Sequence, residues 1–199
     1  MKKVGILGGT FNPVHFGHIA LAKAAFLQYN LDEVLFMTSG NPPHKKDVNL
    51  TPSVKRHKMV SLALEGEEKL IAYDYEVYKQ TYSYTAQTLT ELRQLHPDWE
   101  IYFIIGEDSL RDIFKWYKPD VVLKNCILLV YPRDNASSLE ELIKNVSSEL
   151  ESDIRPVYAP LWDISSTQIR KLVSEGKKFD EFVPEKVRQY IIENGLYKK

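Results

Sequence analysis

Val4-Gly5-Ile6-Leu7-Gly8-Gly9-Thr10-Phe11-Asn12-Pro13-Val14-His15-Phe16-Gly17-His18 is the stretch that decides the architecture. A short apolar run, residues 4–7, ends in two glycines. Beyond the loop, Ile19, Ala22, Phe26 and Tyr29 share one helical face. The apolar run is continuous rather than alternating, so it predicts a strand buried on both faces. Gly8 and Gly9 carry no side chain and let backbone approach a ligand closely. His15 and His18 stand three apart at the predicted helix start, so their rings can face the same way. A helix start offers free N–H groups and partial positive charge, which suits phosphate. Two imidazoles beside it can donate hydrogen bonds as charge builds on phosphoryl oxygens.

Outward from this loop the same alternation repeats. Strands are predicted at 34–38, 70–73, 99–105, 127–131 and 154–158. Thr51-Pro52 reads as an N-cap followed by proline in the first helical position, opening a helix to about residue 64. Ser83 is expected to cap a helix carrying Ala86, Leu89, Leu92 and Leu95. A short helix is expected over 109–114, and longer ones over 139–150, 166–175 and 184–194, the last closed by Gly195. Strand and helix in turn, with continuous apolar strands, give the α/β class and a doubly wound parallel sheet. Ligands of such sheets bind beyond the carboxyl ends of the strands. We expect one domain over residues 1–199, with a small helical part at its C-terminal side.

Composition narrows the chemistry. The 199 residues include 26 Lys and Arg against 27 Asp and Glu, for a net charge of -1. That balance gives no general field for nucleic acid. The single cysteine, Cys126, excludes an intrachain disulfide and a thiolate zinc cluster, and points to a reducing, cytoplasmic setting. No window reaches the roughly 18 apolar residues of a membrane helix, so no membrane partner is expected. Gly5, Gly8 and Gly9 have the wrong intervals for G-x-G-x-x-G, and no G-x-x-x-x-G-K-[ST] occurs. His15 and His18 have no third ligand nearby in sequence, so no protein metal site is expected.

A second phosphate signal lies far downstream, in Ile164-Ser165-Ser166-Thr167-Gln168-Ile169-Arg170. Ser165 with Gln168 fits a capping box. Ser166 and Thr167 then bring hydroxyls to a helix start, and Arg170 lies within one turn of them with a bidentate fork. Between the two signals, Pro42-Pro43 stiffens a loop that presents His44 and Lys45. Ser83-Tyr84-Thr85 precedes a helix whose free N–H groups could hold a carboxylate. Trp116-Tyr117 could stack an aromatic base, and Asp108 follows a strand end where it could accept ribose hydroxyls. His57 and His96 have no partner by spacing.

GGTFNPVHFGH and ISSTQIR together resemble the nucleotidyltransferase superfamily that carries the H-x-G-H motif. Pro42-Pro43-His44-Lys45, Ser83-Tyr84-Thr85, Ile104-Ile105-Gly106-Glu107-Asp108-Ser109, Trp116-Tyr117 and Ile191-Ile192-Glu193-Asn194-Gly195-Leu196-Tyr197 narrow the resemblance to the bacterial nicotinate-nucleotide adenylyltransferase family. The resemblance implies a Rossmann-like nucleotidyltransferase fold. It implies adenylyl transfer from ATP to nicotinate mononucleotide in NAD biosynthesis, giving deamido-NAD and pyrophosphate, with Mg2+ bound mainly through ATP phosphates. His15, His18 and Arg170 would be catalytic. Gly8, Gly9, Thr10, Phe11, Ser165, Ser166 and Thr167 would bind ATP. Asn12, Lys45, Thr85, Asp108, Trp116 and Tyr117 would bind the mononucleotide. Arg56 resembles a basic position near the active site, and Arg133 a contact on the adenosine side. Two departures stand out: Asn12 replaces a more frequent Asp, and Glu107 a small residue. Partners would be the two small-molecule substrates, and a homo-oligomer is compatible with this reading. The alternative is a related enzyme acting on nicotinamide mononucleotide or phosphopantetheine.

Overall fold

A computed structural model describes residues 1–42, 50–132, 136–159 and 163–198. Lys45 and Arg133 fall outside these residues. Six strands form one sheet: β1 Lys2–Gly9, β2 Glu33–Thr38, β3 Leu70–Tyr73, β4 Trp99–Gly106, β5 Ile127–Tyr131 and β6 Ile154–Pro156. Their order is β3-β2-β1-β4-β5-β6, and every pairing is parallel. The helices are α1 Phe16–Gln28, α2 Ser53–Ala63, α3 Thr85–Leu95, α4 Glu107–Arg111, α5 Pro119–Asn125, α6 Ala136–Leu150, α7 Ser166–Ser174 and α8 Glu185–Glu193.

The continuous apolar strands divide their side chains between two cores, as a sheet covered on both faces requires. Leu7, Phe36, Ile104 and Leu129 enter one core with Ala22 of α1, Met59 of α2, Ile169 of α7 and Val187 of α8. Ile6, Leu35, Phe103 and Val130 enter the other with Leu89 of α3, Leu110 of α4, Val122 of α5 and Leu139 of α6. The α/β, doubly wound parallel fold predicted from the sequence is therefore the fold observed. The chain winds outward from β1 to β3 on one side and from β4 to β6 on the other. The reversal falls between β1 and β4, so their carboxyl ends bound the crevice where such sheets hold ligands.

Several boundaries differ from expectation. Pro52, not Thr51, is the N-cap of α2, and Tyr84, not Ser83, is that of α3. Helix α4 begins at Glu107, two residues early, and a 3-10 turn over Ile113–Lys115 follows it. The expected strand at 154–158 ends at Pro156. Helix α5 was not expected: it has seven residues and starts from Lys118 in the left-handed region, at φ 50. The close of α8 matches expectation. Gly195 sits at φ 59, and its N–H reaches Ile192 O while Leu196 N–H reaches Ile191 O, the pairing of a Schellman turn.

Candidate active site

A cleft of about 400 Å³ opens at the carboxyl ends of β1 and β4. Gly8, Gly9, Thr10 and His18 form one side of it, and Thr85, Trp116 and Tyr117 the other. Of the sequence-predicted site residues, His15, Phe11, Asn12, Arg56, Asp108, Ser165, Ser166, Thr167 and Arg170 do not line it, and Lys45 and Arg133 are not among the described residues.

The glycine loop is held by its own side chains. Phe11 is 2% exposed and adopts a positive φ of 46. Its ring packs edge-on against His18 with centroids 5.1 Å apart. A Cβ on Gly9 would stand 2.9 Å from that ring, so only glycine admits it there. The first turn of α1 then orients the histidines. His15 N–H donates to His18 Nδ1 at 3.2 Å, and the two rings lie 3.7 Å apart. Because Nδ1 accepts, a neutral His18 carries its proton on Nε2. Burial holds His15 down to about 4. Burial, and then the neighbouring His15, hold His18 well below the ordinary imidazole value. Both rings are thus neutral near pH 7, and His18 presents an N–H donor rather than a charge.

Those depressed values carry a stability consequence. A histidine buried neutral binds its proton more weakly folded than unfolded. Its contribution is complete above about 6.5 and is lost as pH falls toward about 4. For His15 this amounts to roughly 3 kcal/mol. Urea midpoints measured between pH 7 and pH 4.5 should fall more steeply for the native protein than for His15→Asn. Parallel curves would rule the effect out.

The two phosphate signals converge. Ser166 hydroxyl donates to Pro13 O at 2.8 Å, and Arg170 Nη1 to Asn12 O at 2.8 Å. Arg170 Nη2 also donates to Thr167 Oγ1 at 3.1 Å. The start of α7 is therefore fastened to the loop that carries the histidines. Ser165 caps α7 by accepting Gln168 N–H at 3.2 Å. The expected return bond from the Gln168 side chain to backbone is replaced: the Ser165 hydroxyl donates to Gln168 Oε1 at 2.8 Å. The Schellman turn after α8 sends Tyr197 back to the same loop, where its hydroxyl meets Asn12 Oδ1 at 2.8 Å. The sequence had flagged this C-terminal segment without giving Tyr197 a task.

On the far side, Thr85 is the first residue of α3, and no side chain caps that helix. Neither α1 nor α3 has an acidic residue in its first turn. Both helix starts lie at the cleft and carry no carboxylate of their own, although Glu76, from the segment before α3, reaches Thr88 of that helix. Tyr84 and Tyr117 rings lie 4.8 Å apart at its edge. Glu107 does not oppose an anion there. It is 6% exposed and pairs with Arg111 at 2.5 Å. Asp108 beside it is exposed, while Ser109 lines the cleft.

Sequence reasoning missed Ser39 and Glu76, which both line the cleft. Ser39 directly follows β2, and the strand-end rule could have found it. Glu76 is 4% exposed, raised above the usual carboxylate range by burial, and accepts Thr88 Oγ1 at 2.6 Å. It lies in an aperiodic stretch that gives no signal. Arg56, which resembles a basic position near the active site, is 1% exposed and does not itself line the cleft. His57 and His96 have local partners, Thr38 Oγ1 at 3.3 Å and the stacked Trp99 ring at 3.8 Å.

A family model described as cytidylyltransferase-like matches residues 6–172. A Clostridium kluyveri protein named probable nicotinate-nucleotide adenylyltransferase is 41% identical over 203 residues, covering 100% of both chains. The chain belongs to the nicotinate-nucleotide adenylyltransferase family. A Lachnoclostridium phytofermentans member of the same name is 39% identical, covering 99% of this chain and 100% of its own. The nicotinic acid mononucleotide adenylyltransferase of Plasmodium falciparum, solved in complex with NaAD, superposes with a TM-score of 0.80. It covers 99% of this chain and 98% of that one at 22% identity, and shares the fold. Membership makes this chain a nucleotidyltransferase, with the H-x-G-H pair His15 and His18 at the mouth of its first helix.

Proposed function

We infer that the chain transfers the adenylyl group of ATP to nicotinate mononucleotide, releasing pyrophosphate and deamido-NAD. The observation that carries this reading is His18: it faces the cleft, and the His15 N–H on its Nδ1 leaves Nε2–H as the donor. A phosphate oxygen of the mononucleotide attacks the α-phosphorus of ATP. A new P–O bond forms there, and the bond to the β-phosphate oxygen breaks. The nucleophile is already anionic, so no general base is needed. Catalysis is alignment of two anions and stabilisation of charge in the transition state.

In this reading Gly8, Gly9 and Thr10 bring backbone against the triphosphate, with Phe11 packed behind them. His15 orients His18, and His18 donates to the reacting phosphate. Ser165, Ser166, Thr167 and Arg170 stand where pyrophosphate leaves, with Ser166 and Arg170 also bracing the loop. The start of α3 at Thr85 takes the nicotinate carboxylate, and Trp116 and Tyr117 take its ring. Asn12, Lys45 and Asp108 complete the mononucleotide side.

Among the described residues no three His, Cys, Asp or Glu side chains gather into a metal-binding group. The fit is to magnesium held by phosphate oxygens and water, where it neutralises polyphosphate charge. No helix here is long and apolar enough to cross a membrane. We place the reaction in the cytoplasm, which suits the free thiol of Cys126.

Pyrophosphate release from ATP should be fast with nicotinate mononucleotide and slow with nicotinamide mononucleotide or phosphopantetheine. The acid is expected to win by at least about tenfold, the scale of one lost charge-assisted hydrogen bond. Equal rates with acid and amide would remove the carboxylate site at Thr85. Release only with phosphopantetheine would replace the reading with its alternative.

A further inference from the structure

Arg56 lies in the first turn of α2 and is 1% exposed, yet among the described residues its guanidinium meets no carboxylate. Instead it donates only to backbone carbonyls. Nε reaches Thr51 O at 2.7 Å and Nη1 reaches Thr10 O at 2.6 Å. Nη2 reaches Ser39 O at 2.8 Å and Gly40 O at 3.0 Å. These oxygens belong to three separate segments: the glycine–histidine loop, the loop after β2 and the lead into α2.

The planar fork suits this task, because its donors diverge at fixed angles. A lysine would offer three donors from one point and could not span three segments. Burying a cation without a counter-charge is costly. An apolar side chain would fill the space without that cost. What it could not do is fix the distance between two loops.

We propose that Arg56 is a positioning residue for adenylyl transfer: by clipping Thr10 to Ser39 and Gly40, it sets the spacing of the two loops and so of the two substrates between them. A second bond serves the same join, since Ser39 N–H donates to Gly9 O at 2.9 Å. The carbonyls contribute dipoles but no charge, so the positive charge of Arg56 is left for bound phosphates to balance. The proposal rests on the transfer reading above and adds to it a residue that touches neither substrate.

The test compares Arg56→Lys and Arg56→Met with the native protein in the pyrophosphate assay, with thermal unfolding measured beside it. Positioning predicts that Arg56→Lys loses kcat by about 100-fold, the scale of a small misplacement of reactants, while KM for each substrate changes little. Arg56→Met should lose as much kcat and also raise KM for ATP, because the charge is gone. Guanidinium chloride at tens of millimolar should restore part of the turnover of Arg56→Ala, and sodium chloride should not. A kcat per folded molecule that stays native in Arg56→Lys and Arg56→Met would overturn positioning and leave only a structural role. Should Arg56→Ala fail to fold, the lysine and methionine variants decide the matter. No turnover in the native protein with any mononucleotide would overturn the transfer reading itself, and this proposal with it.

Discussion

His18→Ala is expected to lower kcat by about 10² to 10³, with little change in KM for ATP, the scale seen when one transition-state donor is removed. The argument begins with a bond on the other side of the ring. His15 N–H occupies Nδ1 at 3.2 Å, so rotation and tautomer are both fixed before substrate arrives. Phe11 closes the ring from its edge at 5.1 Å. Burial keeps the imidazole neutral, so the donor is present near pH 7 without a protonation step. Alanine removes the donor and opens a small space, but the loop keeps its fastenings to Ser166 and Arg170. Steady-state rates of pyrophosphate release, set beside a urea melt, separate the two effects. A rate within threefold of native would end the assignment. His18→Asn, which retains an N–H near the same place, should recover part of the loss.

Gly40→Ala is expected to destabilise the protein by about 3 kcal/mol, at the upper end of ordinary overpacking. A Cβ at this position would stand 2.1 Å from Glu76 O and 3.1 Å from Glu76 C. Both obstacles are backbone, so no rotamer change relieves them. Either the loop after β2 or the chain around Glu76 must move. Glu76 lines the cleft, and Gly40 O is one of the four carbonyls held by Arg56. The displacement therefore reaches the site as well as the fold, and KM for the mononucleotide should rise. Chemical denaturation checks the first expectation. An unchanged midpoint would mean that the two segments separate freely.

Much of the fold was legible because the central strands carry apolar runs such as Val34–Met37 and Ile101–Ile105, whereas β6, Ile154-Arg155-Pro156, does not and was placed too long. Helix α5 was not legible, because seven residues from Pro119 to Asn125 are too few for a period to show. The start of α4 shows a subtler limit. Glu107 and Asp108 are adjacent carboxylates, and only the helix beginning at Glu107 decides that the first turns inward to Arg111. The histidines and the α7 start were legible because their spacing and helix setting are local. Arg56 was legible only through family resemblance, which puts a basic residue near the site. The pattern Lys55-Arg56-His57-Lys58 does not show its burial, which depends on carbonyls brought together from three segments. The hydroxyl of Tyr197 on Asn12, 185 residues away, is invisible for the same reason.

The bond from Ser166 to Pro13 joins residues 153 positions apart. On the ribosome the glycine loop emerges early, yet its braces in α7 are made only after most of the sheet. Contacts so distant along the chain close late and slow the final step of folding. A nascent polypeptide stalled before α7 would expose a polyanion-binding loop that is not yet held in shape. Pulse-labelled, length-arrested chains should therefore show protease cutting near Asn12 until residue 170 has cleared the exit tunnel.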